Sequence, residues 1–502
     1  MPYTNLNEAI ARLDEIEATA VAYGHAMGVL SLDAATAAPL GSAEGRGKTM
    51  ALLSGVVYEL AASAETRELL EYLTAHADEL DETHRRQVEL RKKGCDQLVR
   101  IPQEEYVAYN VLINKAEGIW RVAKLSNDFA AFAPVLEEIV AFNRKFAGYY
   151  DAEKQPYDAL LNEYEEGLDM KTLDAFFARL REVIVPLVHA ISQKEQPDTA
   201  FLEQSYPIEG QKELAKYLME VIGLDPNRCT LTESEHPFTL GFNNQDVRIT
   251  THYHEHHPTF AVFSTIHEGG HALYELGVEE AYNGTCLYGG ASMGIHESQS
   301  RFYENIIGRS LPFIELIFPK MQEIFPEQLG NATAYDLYRA VNKAQPSLIR
   351  TESDELTYSM HIMIRYEIEK KLIDGSLEVK DVPAAWNALY KEYLGIEVPN
   401  DTLGCLQDSH WSGGSIGYFP SYALGSAYGA QMKAVMESQI GTVEEHLKQG
   451  DIASITAWLR EKIHRFGNFK KPQAIFEDAC GTFDPKFFTD YLTQKYSAIY
   501  EL

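Results

Sequence analysis

The sequence predicts a mainly α-helical protein carrying one small antiparallel β-sheet, and three observations predict it. From Asn5 to about Ala190, apolar residues recur every three or four positions among Glu, Lys, Arg and Ala, as in EAIARLDEIEATAVAYGHAMGVL and FAPVLEEIVAFNRKFAGYY. That spacing lines one face of an amphipathic helix. Between Glu235 and His257 the pattern changes once: HPFTLGFNNQDVRITTHYHEHH gathers β-branched and aromatic residues around the turn-forming NNQD, which reads as a hairpin or small sheet. Helical spacing returns at Thr259 and continues to the C-terminus, broken by the glycine-rich SGGSIGYFP.

The elements follow in order. Helix boundaries fall at AAPLGSAEG around Pro39, IPQEE around Pro102 and KEQPDT around Pro197, where proline opens a loop or a first helical turn. There is no Pro- or Ser-rich linker and no fixed-period repeat. The chain is therefore expected to form a single unit over 1–502, with a mainly helical part at about 1–230, a core at 231–435 that contains the strand-rich stretch, and C-terminal helices at 436–502.

Composition narrows the function classes. Hydrophobic residues are 45% and charged residues 24%, the ordinary globular mix rather than a disordered or fibrous one. The 74 acidic residues outnumber the 44 Lys and Arg, for a net charge of -30. Such a surface repels phosphate backbones and anionic membranes, so nucleic acid is not an expected partner. Five cysteines lie far apart and never as C-x-x-C, which fits reduced thiols and a cytoplasmic location. The opening MPYTNLNEAIARLDEIEATA lacks a basic segment followed by an apolar run, and no stretch approaches the roughly 18 apolar residues of a membrane helix.

Chemistry concentrates in STIHEGGHALYELG, Ser264 to Gly277. On a helix, His267 and His271 share a face and can reach one ion, while Glu268 turns toward its open side. A catalytic zinc generally takes a third protein ligand and keeps one position for water. Downstream, ASMGIHESQSRFYENIIGR supplies Glu297. Its alternative role is an i, i+4 pair with Arg301, and adjacent His296 is expected to face elsewhere. The cluster HYHEHH, with His254, His256 and His257, reads as an edge loop before Pro258, since no fixed geometry links it to a base.

These residues resemble the carboxypeptidase Taq family of zinc-dependent metallocarboxypeptidases. The likeness is carried by separated motifs in order: HPF at His236 to Phe238, DVRIT at Asp246 to Thr250, HEGGH at His267 to His271, HESQ at His296 to Gln299, IRTESDE at Ile349 to Glu355 and GCLQDSHW at Gly404 to Trp411. The ending DYLTQKYSAIYEL also has the family's look, so the likeness spans nearly the whole chain. It implies a two-lobed helical molecule with a deep groove, a homodimer, His267, His271 and Glu297 as metal ligands, and Glu268 as the catalytic glutamate. Leu32 before Asp33, Ala38 before Pro39, and Ser353 depart from the family pattern. None is a ligand, so these departures bear on groove shape and substrate preference.

The expected chemistry is peptide-bond hydrolysis at the C-terminal end of a peptide, with one divalent ion per chain, Zn2+ first and Co2+ or Mn2+ as alternatives. Glu268 is expected to move the proton. His410, Tyr418 and Tyr422 are candidate donors to the oxyanion or the peptide, and His236 joins them on its motif. Arg350 is the first candidate for the terminal carboxylate, because a guanidinium grips it bidentately. Arg248 sits on the expected strand, where an extended peptide could add as a further strand. Glu352, Asp354 and Glu355 are candidates for orienting the metal histidines, and Asp408 for fixing its loop. The rival readings are a dipeptidyl carboxypeptidase or oligopeptidase using the same site, and a helical scaffold without activity.

Overall fold

Short polar side chains start most of the N-terminal helices by accepting the free N–H groups of the first turn. In the computed structural model, which describes residues 3–502, Asn5 caps α1 (Leu6–Thr36), Ser63 caps α3 (Ala64–Ala75) and Asp81 caps α4 (Glu82–Arg100). Between the first two lies α2 (Ala43–Ala62). Pro102 precedes α5 (Gln103–Ser126), which ends at Asn127 in the left-handed region, φ 54°. Asp128 caps α6 (Phe129–Tyr150), α7 (Pro156–Tyr164) begins on its proline, and Asp169 caps α8 (Met170–Ile191). The segment is closed by α9 (Ile208–Val221).

Three strands follow: β1 (Cys229–Glu233), β2 (Thr239–Asn243) and β3 (Asp246–Thr251). The β2–β3 hairpin sits where the sequence places it, turning at Asn243, whose side chain accepts the Gln245 N–H at 2.8 Å. The expectation of an antiparallel sheet needs correction. The order is β1-β3-β2, with β1 parallel to β3, so the sheet is mixed. The strand-rich pattern read from the sequence begins only at Glu235, because TLTE is short and polar and a parallel partner leaves no turn signal in the chain.

Pro258 opens α10 (Pro258–Gly277), the helix of the HEGGH motif. Ser292 caps α11 (Met293–Arg301), which runs on without a break as a π-turn over Phe302–Gly308. Then come α12 (Leu311–Ile324), the short α13 (Pro326–Leu329) and α14 (Ala334–Val341), α15 (Glu355–Asp374), α16 (Val382–Leu394) and α17 (Pro420–Ile440). Further helices continue to Tyr500. The stretch between Asn400 and Phe419 is built of turns and irregular backbone.

The apolar interior forms two large clusters. One joins α6, α7 and α8 to α15 and α16, and the other surrounds the sheet, α10, α11 and α12. Helix α17 belongs to both: Ala423, Leu424 and Ala427 lie in the first, Met432 and Met436 in the second. It is the rigid element on which the two halves meet.

Candidate metal and catalytic site

The site is assembled by two close helix crossings. A Cβ on Gly270 of α10 would lie 2.7 Å from the carbonyl oxygen of Gln299 and from the Cα of Ser300, so only glycine lets α11 approach this closely. On the other side of α11, a Cβ on Gly425 of α17 would lie 2.7 Å from Cβ and Cγ of Glu297. The Glu297 side chain is thus wedged between two helices and directed at the α10 histidines.

Glu297 Oε2 lies 3.8 Å from His267 Nε2 and 3.6 Å from His271 Nε2. The three donor atoms lie within 4.8 Å of one another. Donors sharing one tetrahedral ion at about 2.0–2.2 Å are separated by about 3.3–3.6 Å, so this set fits a divalent metal. The second reading of Glu297 also holds, since Oε1 accepts from Arg301 Nε at 2.7 Å. One oxygen faces the arginine and the other the imidazoles.

Both imidazoles present a lone pair to that point. His267 Nδ1 donates to Glu304 Oε2 at 2.9 Å, so Nε2 is free to act as a ligand. Burial opposes the charge of Glu304, but Arg301, the His267 bond and Arg309 hold its carboxyl well below the usual range. His271 Nδ1 lies 2.6 Å from His296 Nδ1, and His296 Nε2 lies 2.7 Å from Glu275 Oε1. A carboxylate only accepts, so the proton sits on His296 Nε2; a neutral His296 then accepts from His271 Nδ1–H, which leaves His271 Nε2 bare. Burial above all keeps His271 well below the ordinary imidazole value. Burial lowers His267 too, but Glu304 and Glu297 outweigh it and the net shift is upward. Glu304 and Glu297 thus favour positive charge on the His267 side of the centre.

Glu268, next to the first histidine, is 6% exposed. Burial pushes its carboxyl upward, and Oε2 accepts from Thr239 Oγ1 at 2.7 Å. The small sheet therefore orients this carboxyl through the first residue of β2.

A second group of the sequence candidates gathers around the turn region. His410 Nε2 lies 3.4 Å from the Tyr422 hydroxyl, and the His410 ring stacks near Phe419 and Tyr418 at 4.4 and 5.6 Å between centroids. Burial, then Arg350, lowers His410 to about 4, so it is neutral. Arg350 donates from Nε and Nη2 to Asp408 Oδ1 at 3.0 and 2.9 Å, and from Nη1 to the Tyr358 hydroxyl at 3.1 Å. Tyr358 in turn lies under Arg301, 4.5 Å from ring to guanidinium. The Arg350 group thus connects to the Glu297 group through Arg301 and Tyr358.

His236 lies in the connection between β1 and β2, and Arg248 on β3. His236 is exposed. Arg248 pairs with both oxygens of Asp246 and stacks on Phe242 at 4.9 Å. The added-strand reading of Arg248 is corrected here: β3 is the central strand, with its backbone paired on both sides.

Four further expectations change. His296 faces the site rather than away from it. The imidazoles are oriented by Glu304 and by the His296–Glu275 pair, not by the acids of IRTESDE. Of those, Asp354 caps α15 by accepting from Leu356 N and Thr357 N, Glu355 takes Lys495, and Glu352 is exposed. The signal for Glu304 was available, since Glu297, Arg301 and Glu304 follow one helical face.

The profile of the carboxypeptidase Taq (M32) metallopeptidases matches residues 12–496. The chain belongs to this family. Carboxypeptidase 1 of Bacillus subtilis is 43% identical over 482 residues, 96% of each chain. Thermostable carboxypeptidase 1 of Thermus thermophilus is 35% identical, over 95% of this chain and 96% of that one. Among solved structures, the M32 carboxypeptidase of Deinococcus radiodurans superposes with a TM-score of 0.96 at 35% identity, covering 99% of this chain and 100% of that chain. Metallocarboxypeptidase 1 of Trypanosoma cruzi gives 0.93 at 32% identity, covering 97% and 99%. An M32 chain with these coverages carries the family's fold from end to end.

Gly425→Val should leave helical content intact by circular dichroism while metal per chain, measured by plasma mass spectrometry, falls well below one. Gly118→Ala, where an added Cβ meets nothing within 4 Å, should keep full stoichiometry.

Proposed function

We propose that this M32 metal-dependent carboxypeptidase removes C-terminal residues from peptides at the site just described, with His267, His271 and Glu297 holding one Zn2+ and Glu268 acting as general base. The observation that carries the reading is the convergence of two bare Nε2 lone pairs and one carboxylate oxygen beside a buried glutamate. Two imidazoles and a carboxylate suit zinc best, with Co2+ or Mn2+ as substitutes. When bound, such an ion polarises a peptide carbonyl and makes water acidic enough to yield a nucleophile near neutral pH.

The chain's own groups do the rest. Glu268, held by Thr239, accepts the proton of the attacking water and returns it to the departing amine. Neutral His410 and the Tyr422 hydroxyl donate to the oxygen on which negative charge develops. Arg350 binds the free carboxylate: a guanidinium has five N–H groups, and among the described residues three of them are taken, by Asp408 and Tyr358. Tyr418, His236 and Arg248 serve as further peptide contacts. Mass spectrometry of one unblocked peptide tests the reading, and release of dipeptides in place of single residues overturns it in favour of a dipeptidyl carboxypeptidase.

We also read the chain as one two-lobed unit that works as a homodimer in the cytoplasm. No described helix is long and apolar enough to cross a membrane, and all five cysteines are free, which supports a reducing compartment. For the dimer, α5 presents Val107, Val111, Val122 and Leu125 at 53, 64, 65 and 83% exposure. Antiparallel pairing about the helix midpoint sets Val107 opposite Val122 of the partner subunit and Val111 opposite Gly118 of the partner subunit. A twofold contact requires this kind of self-complementarity.

Glu268→Gln should retain stoichiometric metal and lose about 10²–10⁴-fold in kcat, measured on a free-acid peptide. Arg350→Ala should raise KM for free-acid peptides while leaving the slow cleavage of C-terminally amidated ones unchanged. Val111→Glu should shift the mass by light scattering to that of one chain, 56.5 kDa.

A further inference from the structure

The turn region that carries His410 and Tyr418 has no helix or strand to hold it in place. It is gripped instead by Glu369, a side chain of α15 with 0% exposure. Glu369 Oε1 accepts from Trp411 Nε1 at 2.8 Å; Oε2 accepts from the Tyr157 hydroxyl at 2.7 Å and from the Gly417 N–H at 2.8 Å. Trp411 follows His410 and Gly417 precedes Tyr418, so one carboxyl spans the loop between them. Beneath it, Gly417 lies at φ +95°, and a Cβ there would press within 3.2 to 3.3 Å of the α7 backbone at Leu160 and Leu161. From the same helix, Tyr164 packs edge-on against Tyr418 at 5.2 Å.

The three donors define what can occupy this position. The indole and the amide only donate, so they require bare lone pairs. A glutamine offers one oxygen and an NH2. In either orientation its NH2 meets an N–H, from Trp411 or from Gly417. Among the described residues no basic side chain forms an ion pair with Glu369, and burial pushes its carboxyl up to about 7 against the pull of the three donors and the more distant Arg365. A buried carboxyl without an ion-pair partner is costly, and its three contacts all bear on the loop and its floor.

We propose that Glu369 is a positioning residue of the peptidase reaction, setting His410 and Tyr418 at the distance from the metal centre that the reacting peptide needs. This rests on the reading that those two side chains touch the peptide. Glu369 touches neither substrate nor metal and acts through Trp411 and Gly417.

The test is a mutant cycle on the metal-loaded enzyme. Glu369→Gln should keep full metal content and KM within about threefold, while kcat falls about 10²-fold, the scale of a misplacement of about 1 Å. In a His410→Ala/Tyr418→Phe background the same substitution should cost less than threefold, because the groups it positions are gone. Equal losses in both backgrounds, or an unchanged kcat in Glu369→Gln, overturn the proposal. If His410→Ala/Tyr418→Phe alone leaves kcat intact, the reading of those two residues fails, and the proposal with it. Should Glu369→Gln not fold, Trp411→Phe removes one donor from the other side and is carried through the same cycle with the same outcomes.

Discussion

The closeness of α10 and α11 is the constraint on which the site depends. Two imidazoles one turn apart on α10 define a direction but not a coordination sphere; the third donor has to come from another helix, at a separation set by backbone rather than side-chain length. Gly270 against the Gln299–Ser300 backbone sets that separation. With any larger residue, α11 would retreat and Glu297 Oε2 would leave the reach of both Nε2 atoms. Gly425 applies the same constraint from α17. Because α17 is shared between the two apolar clusters, the position of Glu297 is tied to the packing of the whole molecule.

Around that geometry the charges are arranged so that each imidazole has one fixed proton. Glu304 is held by Arg301 and Arg309, so it stays an acceptor and keeps His267 in a single tautomer. His271 is oriented differently, through the His296 ring and Glu275 behind it. The first device sets a carboxylate directly against the imidazole and the second sets one a ring further out. Duplicating the Glu304 arrangement at His271 would place a fourth carboxylate beside Glu268, Glu297 and Glu304, with the desolvation cost of a further buried charge.

How much of this was legible in the sequence follows from how local each signal is. The HEGGH face was legible because i, i+4 geometry holds on any helix. The hairpin was legible from its turn and its β-branched flanks, whereas β1 was hidden because a parallel strand is specified by a partner elsewhere in the chain. Glu297 leaves two readings open, and the geometry has room for both because a carboxyl has two oxygens. His296 was misread: its direction depends on how α11 crosses α10, which helical spacing within α11 does not encode. The sequence leaves the roles of the acids of IRTESDE open, and neither orienting the imidazoles nor pairing with Arg350 is what they do: Asp354 is a helix cap and Glu355 the partner of Lys495. Arg350 is met by Asp408 from a turn region more than fifty residues on, a pairing that no local pattern announces.

Two buried carboxyls without cations show how the parts are held in register. Glu165, just past the end of α7, accepts from Ser292 Oγ and Gly294 N, both at 2.8 Å, and so grips the first turn of the helix that bears Glu297. Glu369 accepts from Tyr157 at the start of α7 and spans the loop that bears His410 and Tyr418. Burial pushes each up to about 7, so neither is placed where an isolated carboxyl is most stable. A fold selected for stability alone would fill both positions with apolar side chains. Their shared feature is direction. Each reaches from the neighbourhood of one short helix to backbone N–H groups on an element of the site, and hydrogen bonds specify distance and angle where apolar contacts specify only proximity. The nine residues of α7 thus act as a common reference for α11 and for the loop of His410 and Tyr418, two elements the chain otherwise supplies more than a hundred positions apart.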